Sequence, residues 1–246
     1  MSARLLAVAL LLGVATLAGA GEARRPDFSG FWMPSRGAVA PDPVLAKRVP
    51  PGTVEMKDTG AAEFGAMNFG GLIPTPEALA VAKAWKPEME MTLERVCRIP
   101  SIVYAQQGPF PIEIFQGTEL MLMRLEYFDM ARVIFLDGRG PWPPDAPHTK
   151  TGYSTGRFEG DVLVVTTTHL KEGTITNNGL EHSDQMRVIE RFRLTDGGRT
   201  LKATQEYEDP KALENRGMRF ISWTRTEGDH VHAYDCDPSF VENYKK

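Results

Sequence analysis

The stretch Gln185-Met186-Arg187-Val188-Ile189-Glu190-Arg191-Phe192-Arg193-Leu194 decides the fold. Met186, Val188, Glu190, Phe192 and Leu194 share one face that is apolar apart from Glu190, while Arg187, Arg191 and Arg193 point the other way. A period of two marks a half-buried strand, because successive side chains leave the pleated backbone on opposite sides. Asp196-Gly197-Gly198 follows as a turn, with glycine where a positive φ is wanted, and Thr200–Glu208 alternates again. Outward from this hairpin the pattern repeats at Phe110–Gln116, Glu119–Phe128, Ala131–Leu136, Tyr153–Phe158, Val162–Thr168, Met218–Thr226 and Val231–Asp235. The turns Glu159-Gly160-Asp161 and Glu227-Gly228-Asp229 punctuate it. Nine consecutive strands twist, and closure removes their exposed edges, so the expected fold is mainly β: an antiparallel up-and-down β-barrel of the lipocalin or calycin type, with a β-sandwich second.

Residues Arg24 to about Thr75 hold Pro34, Pro41, Pro43, Pro50 and Pro51 and few periodic apolar positions, which suits an extended arm. A short aromatic strand is expected within it, at Pro26-Asp27-Phe28-Ser29-Gly30-Phe31-Trp32. Thr75 then reads as an N-cap with Pro76 at the first helical position, and Leu79, Ala82 and Trp85 recur at helical spacing. A second helical stretch is expected from Met91 to Val96. The expected organisation is a leader over 1–20, an arm with one or two short helices over 21–95, and the barrel over 96–246.

The chain has 246 residues, 24% of them charged, and a formal net charge of −4. That balance gives no electrostatic reason to bind nucleic acid or an anionic membrane surface. Met1–Arg4 carries one positive charge, the run Leu5–Ala18 is apolar apart from Gly13 and Thr16, and Ala18-Gly19-Ala20 has the small-x-small form of a cleavage site. About fourteen apolar residues are too few to span a bilayer, which needs about twenty. A signal peptide and a periplasmic or secreted protein are therefore expected, with no transmembrane segment after cleavage. In an oxidising compartment Cys97 and Cys236, the only two cysteines, read as a structural disulfide.

The segment Gly152-Tyr153-Ser154-Thr155-Gly156-Arg157-Phe158-Glu159-Gly160-Asp161, running into Leu163-Val164-Val165, resembles a widespread family of exported bacterial proteins of unassigned function, typically G-x-S-x-G-R-W-E-G-D-T-L-V-V-D-T at this place. Arg132, Asp137-Gly138-Arg139, His182-Ser183, Glu190-Arg191-Phe192 and Asp209-Pro210 also match, and the resemblance spans about Cys97 to Asn243. Phe158 stands where tryptophan is usual, Thr166 where Asp is common, Asp184 where Glu follows the His-Ser pair and Pro141 where His often follows Asp-Gly-Arg. The resemblance implies a lipocalin-like barrel and no assigned catalytic residues.

Glu190 shares a face with apolar neighbours, so its carboxylate needs a partner such as Arg132, Arg124 or a histidine. It reads either as an internal Glu–Arg pair that fixes register or as a general acid or base in a dry pocket. His182, after a loop rich in Gly and Asn, is expected at the barrel rim, and His148 and His169 could reach the same opening. His230-x-His232 puts two imidazoles on one strand face, short of the third ligand a metal site needs. No metal or cofactor is expected. Ser154 fits G-x-S-x-G, but a strand and a tight turn follow it, not the helix of a hydrolase elbow.

The expected function is binding of a small apolar or amphipathic molecule inside or at the mouth of the barrel. Met121, Met123, Leu125, Tyr127, Phe192 and Tyr207 are its candidate walls, and Glu126, Arg132, His182, Glu190 and His148 its candidate orienting groups. The alternative is a cofactor-independent lyase, isomerase or hydrolase in which Glu190 or His182 moves a proton and Arg132 or Tyr127 stabilises negative charge. A third reading is an envelope protein that docks a partner through the proline-rich arm.

Overall fold

Alternation becomes structure wherever one row of side chains can be buried. The computed structural model describes residues 25–35, 39–57 and 64–244; the expected signal peptide lies outside them. In chain order the elements are β1 (Gly30–Pro34), α1 (Pro43–Ala46), β2 (Val54–Glu55), α2 (Pro76–Ala84), α3 (Ile102–Ala105), β3 (Ile112–Gln116), β4 (Leu120–Leu125), β5 (Met130–Phe135), β6 (Tyr153–Glu159) and β7 (Val162–Thr168). The short ribbon β8 (Gly173–Thr174) and β9 (Glu181–His182) precedes β10 (Arg187–Thr195), β11 (Thr200–Glu208), β12 (Gly217–Thr226) and α4 (Phe240–Tyr244).

Nine strands close a barrel in the order β1-β3-β4-β5-β6-β7-β10-β11-β12, with β12 pairing back onto β1 and β2 adding to β12 in parallel. The count of nine matches the expectation; its membership differs. The arm's aromatic strand is a full member, since Trp32 sits opposite Ile112 of β3 and Arg225 of β12. Val231–Asp235 forms no strand. Its backbone N–H groups are taken by carboxylates instead, His232 N donating to Glu126 Oε2 at 3.0 Å and Tyr234 N to Asp129 Oδ1 at 3.0 Å. Peptide donors satisfied by side chains need no ladder, so this segment lies on the barrel as a strap.

One seam is parallel: Ile134 pairs with Ser154 and Phe135 with Thr155 between β5 and β6. A parallel pair needs a crossover of about a dozen residues or more, and the proline-rich loop 136–152 supplies it. Gly156 lets this seam close, because a Cβ there would come within 2.8 Å of the Leu136 side chain and 3.0 Å of Ile134.

Thr75 caps α2 as expected, its hydroxyl accepting from Ala78 N at 3.3 Å, with Pro76 at the first position. Met91–Val96 is turns and no helix; just before it, Pro87–Met89 makes one 3₁₀ turn. The outward arginines of β10 pin the arm: Arg193 reaches Asp42, the N-cap of α1, at 2.9 Å and Asp161 at 2.7 Å. Cys97 and Cys236 form the disulfide, 139 residues apart. Closing a loop of that length in the unfolded chain is worth about 5 kcal/mol in the chain-entropy account.

The barrel interior is a layered core. Met121, Met123, Leu125, Phe192 and Tyr207 belong to one buried cluster with Trp32 and Trp223. Across its middle runs a polar belt. Arg132 on β5 pairs with Glu190 on β10, both at most 1% exposed, and donates through Nε to Ser154 Oγ at 3.2 Å and through Nη2 to Thr167 Oγ1 at 2.8 Å. Its Nη1 donates to Gln106 Oε1 at 2.9 Å. Gln106 follows α3, whose Ile102, Val103 and Ala105 are buried, so α3 is a plug fastened to the lumen by the same guanidinium that joins the wall strands.

Removing one partner of such a pair strands the other charge in a dry interior. Glu190→Ala is expected to cost about 3–5 kcal/mol in urea unfolding; a loss under about 1 kcal/mol would mean that the pair is not what organises the lumen.

Candidate functional site

Of the wall residues expected from the sequence, all but Tyr127 pack inside the core, and a cleft lies outside it. A cleft of about 370 Å³ sits on the outer side of the plug, between residues 85–100, the loop 174–181 and the β4–β5 corner. Its aromatic surfaces are Trp85, Tyr104, Tyr127 and Phe128. The plug thus has two roles: Tyr104 in α3 faces the cleft, and Gln106 just after the helix faces the lumen.

Each ring is positioned by a local necessity. Helix α2 ends at Ala84, and Trp85 turns out in extended geometry (φ −68°, ψ 143°). Its side chain rests on Gly179, where a Cβ would lie 2.4 Å from Trp85 Cβ and where φ is +92°. Only glycine fits there. At the β4–β5 corner Phe128 and Asp129 both adopt positive φ, 55° and 52°, a conformation that costs a bulky residue about 1–2 kcal/mol. Phe128 meets Tyr127 edge-on at 4.7 Å and stacks on Tyr234 of the strap at 4.7 Å. Phe110 stacks on the other side of Tyr127 at 4.6 Å. Burial raises the Tyr127 pKa, so its hydroxyl stays neutral.

The charged rim is paired within itself. Glu90 meets Arg95 at 2.7 Å and Arg98 at 3.6 Å, and Arg98 meets Glu181 at 2.7 Å. Trp85 Nε1 donates to Glu90 Oε1 at 3.2 Å. Burial by itself would raise the Glu90 pKa, but the hydrogen bonds from Arg95 and Trp85 outweigh it and lower the pKa, so the carboxylate stays ionised. Two guanidiniums and two carboxylates leave the cleft close to neutral.

The groups expected to move a proton do not assemble as one constellation. Arg132 and Glu190 meet, but Glu126 accepts from the strap at His232 N. His182 is no rim residue. It is 2% exposed on β9, with Nδ1 donating to Ser183 O at 2.9 Å, and burial lowers its pKa. His148 donates from Nδ1 to Leu170 O at 3.0 Å and lies beside His169, away from the cleft lining. Tyr207 is buried with its hydroxyl on the Met56 sulfur. His230 bonds Glu113 at 2.5 Å, and among the described residues no three His, Cys, Asp or Glu side chains gather as a metal site. Ser154 Oγ shares a hydrogen bond with Thr167 Oγ1 at 2.9 Å within the belt.

Several motif residues pair with one another. Arg132 joins Glu190, Asp137 joins Arg139, and Asp209 accepts from Ser183 N at 2.6 Å and Ser183 Oγ at 2.7 Å. These contacts hold wall, turn and loop, which is scaffolding. No protein-family model and no curated protein matches the chain.

Of the sequence-expected site residues only Tyr127 lines the cleft. Trp85, Tyr104, Phe128, Arg95 and Arg98 were not anticipated. The corner Tyr127-Phe128-Asp129 carried a readable signal, since a tight reversal without glycine or asparagine forces an unusual residue into positive φ.

Two outcomes follow from this geometry. Gly179→Ala is expected to displace Trp85, change the near-UV dichroism, and cost about 1–2 kcal/mol from the positive φ alone; an unchanged spectrum would refute the seat assigned to Trp85. His182 is held neutral in the fold, whereas in the unfolded chain it titrates near its ordinary value of 6.5. The unfolded state therefore binds more protons below about pH 6.5, and stability falls as pH drops from there toward the lowered folded pKa, by at most about 1.4 kcal/mol per pH unit. Denaturant titrations of wild type and His182→Gln between pH 7 and 5 test this, with a shallower slope expected for the variant.

Proposed function

We propose that this chain is an exported binding protein for a small, neutral, mostly apolar ring compound, held in the cleft outside the plug. The observation that carries the reading is Phe128, a bulky aromatic kept at φ 55° on the cleft wall. Glycine or asparagine would relieve that backbone conformation, so a phenyl ring there at a conformational cost points to a use for the ring. Three further aromatic surfaces surround the same space, and planar faces favour stacked or edge-on ring partners. The volume, about 370 Å³, falls in the range of small-ligand sites. Rim charges already matched to one another favour a neutral guest over an organic anion or cation. Export rests on the leader-like sequence at 1–20, and the Cys97–Cys236 disulfide fits an oxidising compartment.

The probe N-phenyl-1-naphthylamine, neutral and aromatic, tests this through the rise in its own fluorescence on leaving water. Wild type is expected to bind it saturably, and Tyr127→Ala to weaken binding about tenfold, the loss of roughly 1.4 kcal/mol of ring contact. Phe128→Gly separates function from stability: binding weakens, while relief of the positive φ offsets the lost contacts with Tyr127 and Tyr234, so urea stability changes by no more than about 1 kcal/mol. Equal binding by all three proteins would overturn the proposal.

A further inference from the structure

We propose that the Cys97–Cys236 bond is a clasp on the ligand cleft, and that a dithiol reductant opens the cleft by cleaving it; the inference rests on the binding function proposed above. Neither cysteine lies in a barrel strand. Cys97 sits between Val96 and Arg98, both in the cleft wall. Cys236 ends the strap whose Tyr234 stacks on Phe128 and meets Tyr127 edge-on at 5.4 Å. The bond therefore joins the segment that roofs the cleft to the segment that backs its aromatic floor.

Beyond the disulfide and the seat of Trp85 on Gly179, the roof is held by ion pairs. Its ion pairs, Arg95–Glu90 and Arg98–Glu181, join side chains 28–39% exposed, where water weakens such contacts. The strap keeps its own anchors without the disulfide, through Glu126, Asp129 and the Glu113–His230 contact. Both cysteines are half-buried and so within reach of a reductant. Barrel closure, by contrast, runs through the β1–β12 and β1–β3 ladders and the Arg132–Glu190 pair, none of which involves the disulfide.

The chemistry is thiol–disulfide exchange. One thiolate of the reductant attacks a cystine sulfur, and the S–S bond breaks to give a mixed disulfide and one cysteine thiolate. The second thiolate of the reductant then displaces the other cysteine. Cys97 and Cys236 end as thiols after taking up protons, and the reductant ends as its disulfide.

The test titrates N-phenyl-1-naphthylamine into the oxidised protein, the dithiothreitol-reduced protein and the Cys97→Ala/Cys236→Ala protein, with far-UV dichroism and hydrogen exchange recorded on each. Oxidised protein is expected to bind. Reduced and doubly substituted proteins are expected to bind at least tenfold more weakly, with native far-UV dichroism retained and exchange quickened more in 85–100 than in β10 and β11, whose protection falls only by the loop-closure contribution of the lost bond. Equal affinity with the bond cleaved overturns the clasp, and so does loss of the native far-UV dichroism, which would make the bond a staple of the barrel. Failure of the oxidised protein to bind overturns the binding function itself.

Discussion

The Arg132 guanidinium is the constraint on which the other features depend. It stands at most 1% exposed in the barrel interior, and its hydrogen bonds reach β10 through Glu190, β6 through Ser154, β7 through Thr167 and the plug through Gln106. A buried cation needs such a set of acceptors, because each unmet donor would cost the full desolvation of that group. The result fixes register across the parallel seam, where the β5–β6 ladder is only two residue pairs long, and seats α3 in the mouth. With the plug seated and the lumen packed, the cleft on the plug's outer face is where the proposed guest would sit.

Much of the barrel was legible because closed sheets obey parity. The face holding Met186, Val188, Glu190 and Phe192 is the buried one, and the prediction of a partner for Glu190 among Arg132, Arg124 and a histidine includes the residue that fills the role. The misplaced ninth strand has a specific cause: Val231–Asp235 alternates like a strand, but carboxylates from the β4–β5 corner take its amide protons before another strand can. β1 was visible as a strand, yet its membership in the barrel depends on pairing with β3 and β12, strands far from it in sequence.

The cleft was much less legible, for a physical reason. Its rings come from the end of α2, from α3 and from a hairpin corner backed by the strap, segments with no common periodicity that meet only after the plug docks. Periodicity instead drew attention to Met121, Met123, Leu125 and Phe192, which are apolar at strand spacing because they are core. The pairings of Arg132 with Glu190 and of Ser183 with Asp209 show the same division: residues with recognisable patterns hold the scaffold, while the surfaces that could meet a ligand lie on irregular chain.

The most direct test of a site outside the plug is a crystal structure of the protein soaked with N-phenyl-1-naphthylamine. The account predicts density for its rings in stacking contact with Trp85, Tyr127 or Phe128, with the Arg132–Glu190 pair undisturbed. Density inside the barrel between Met123 and Phe192, with α3 displaced, would contradict it.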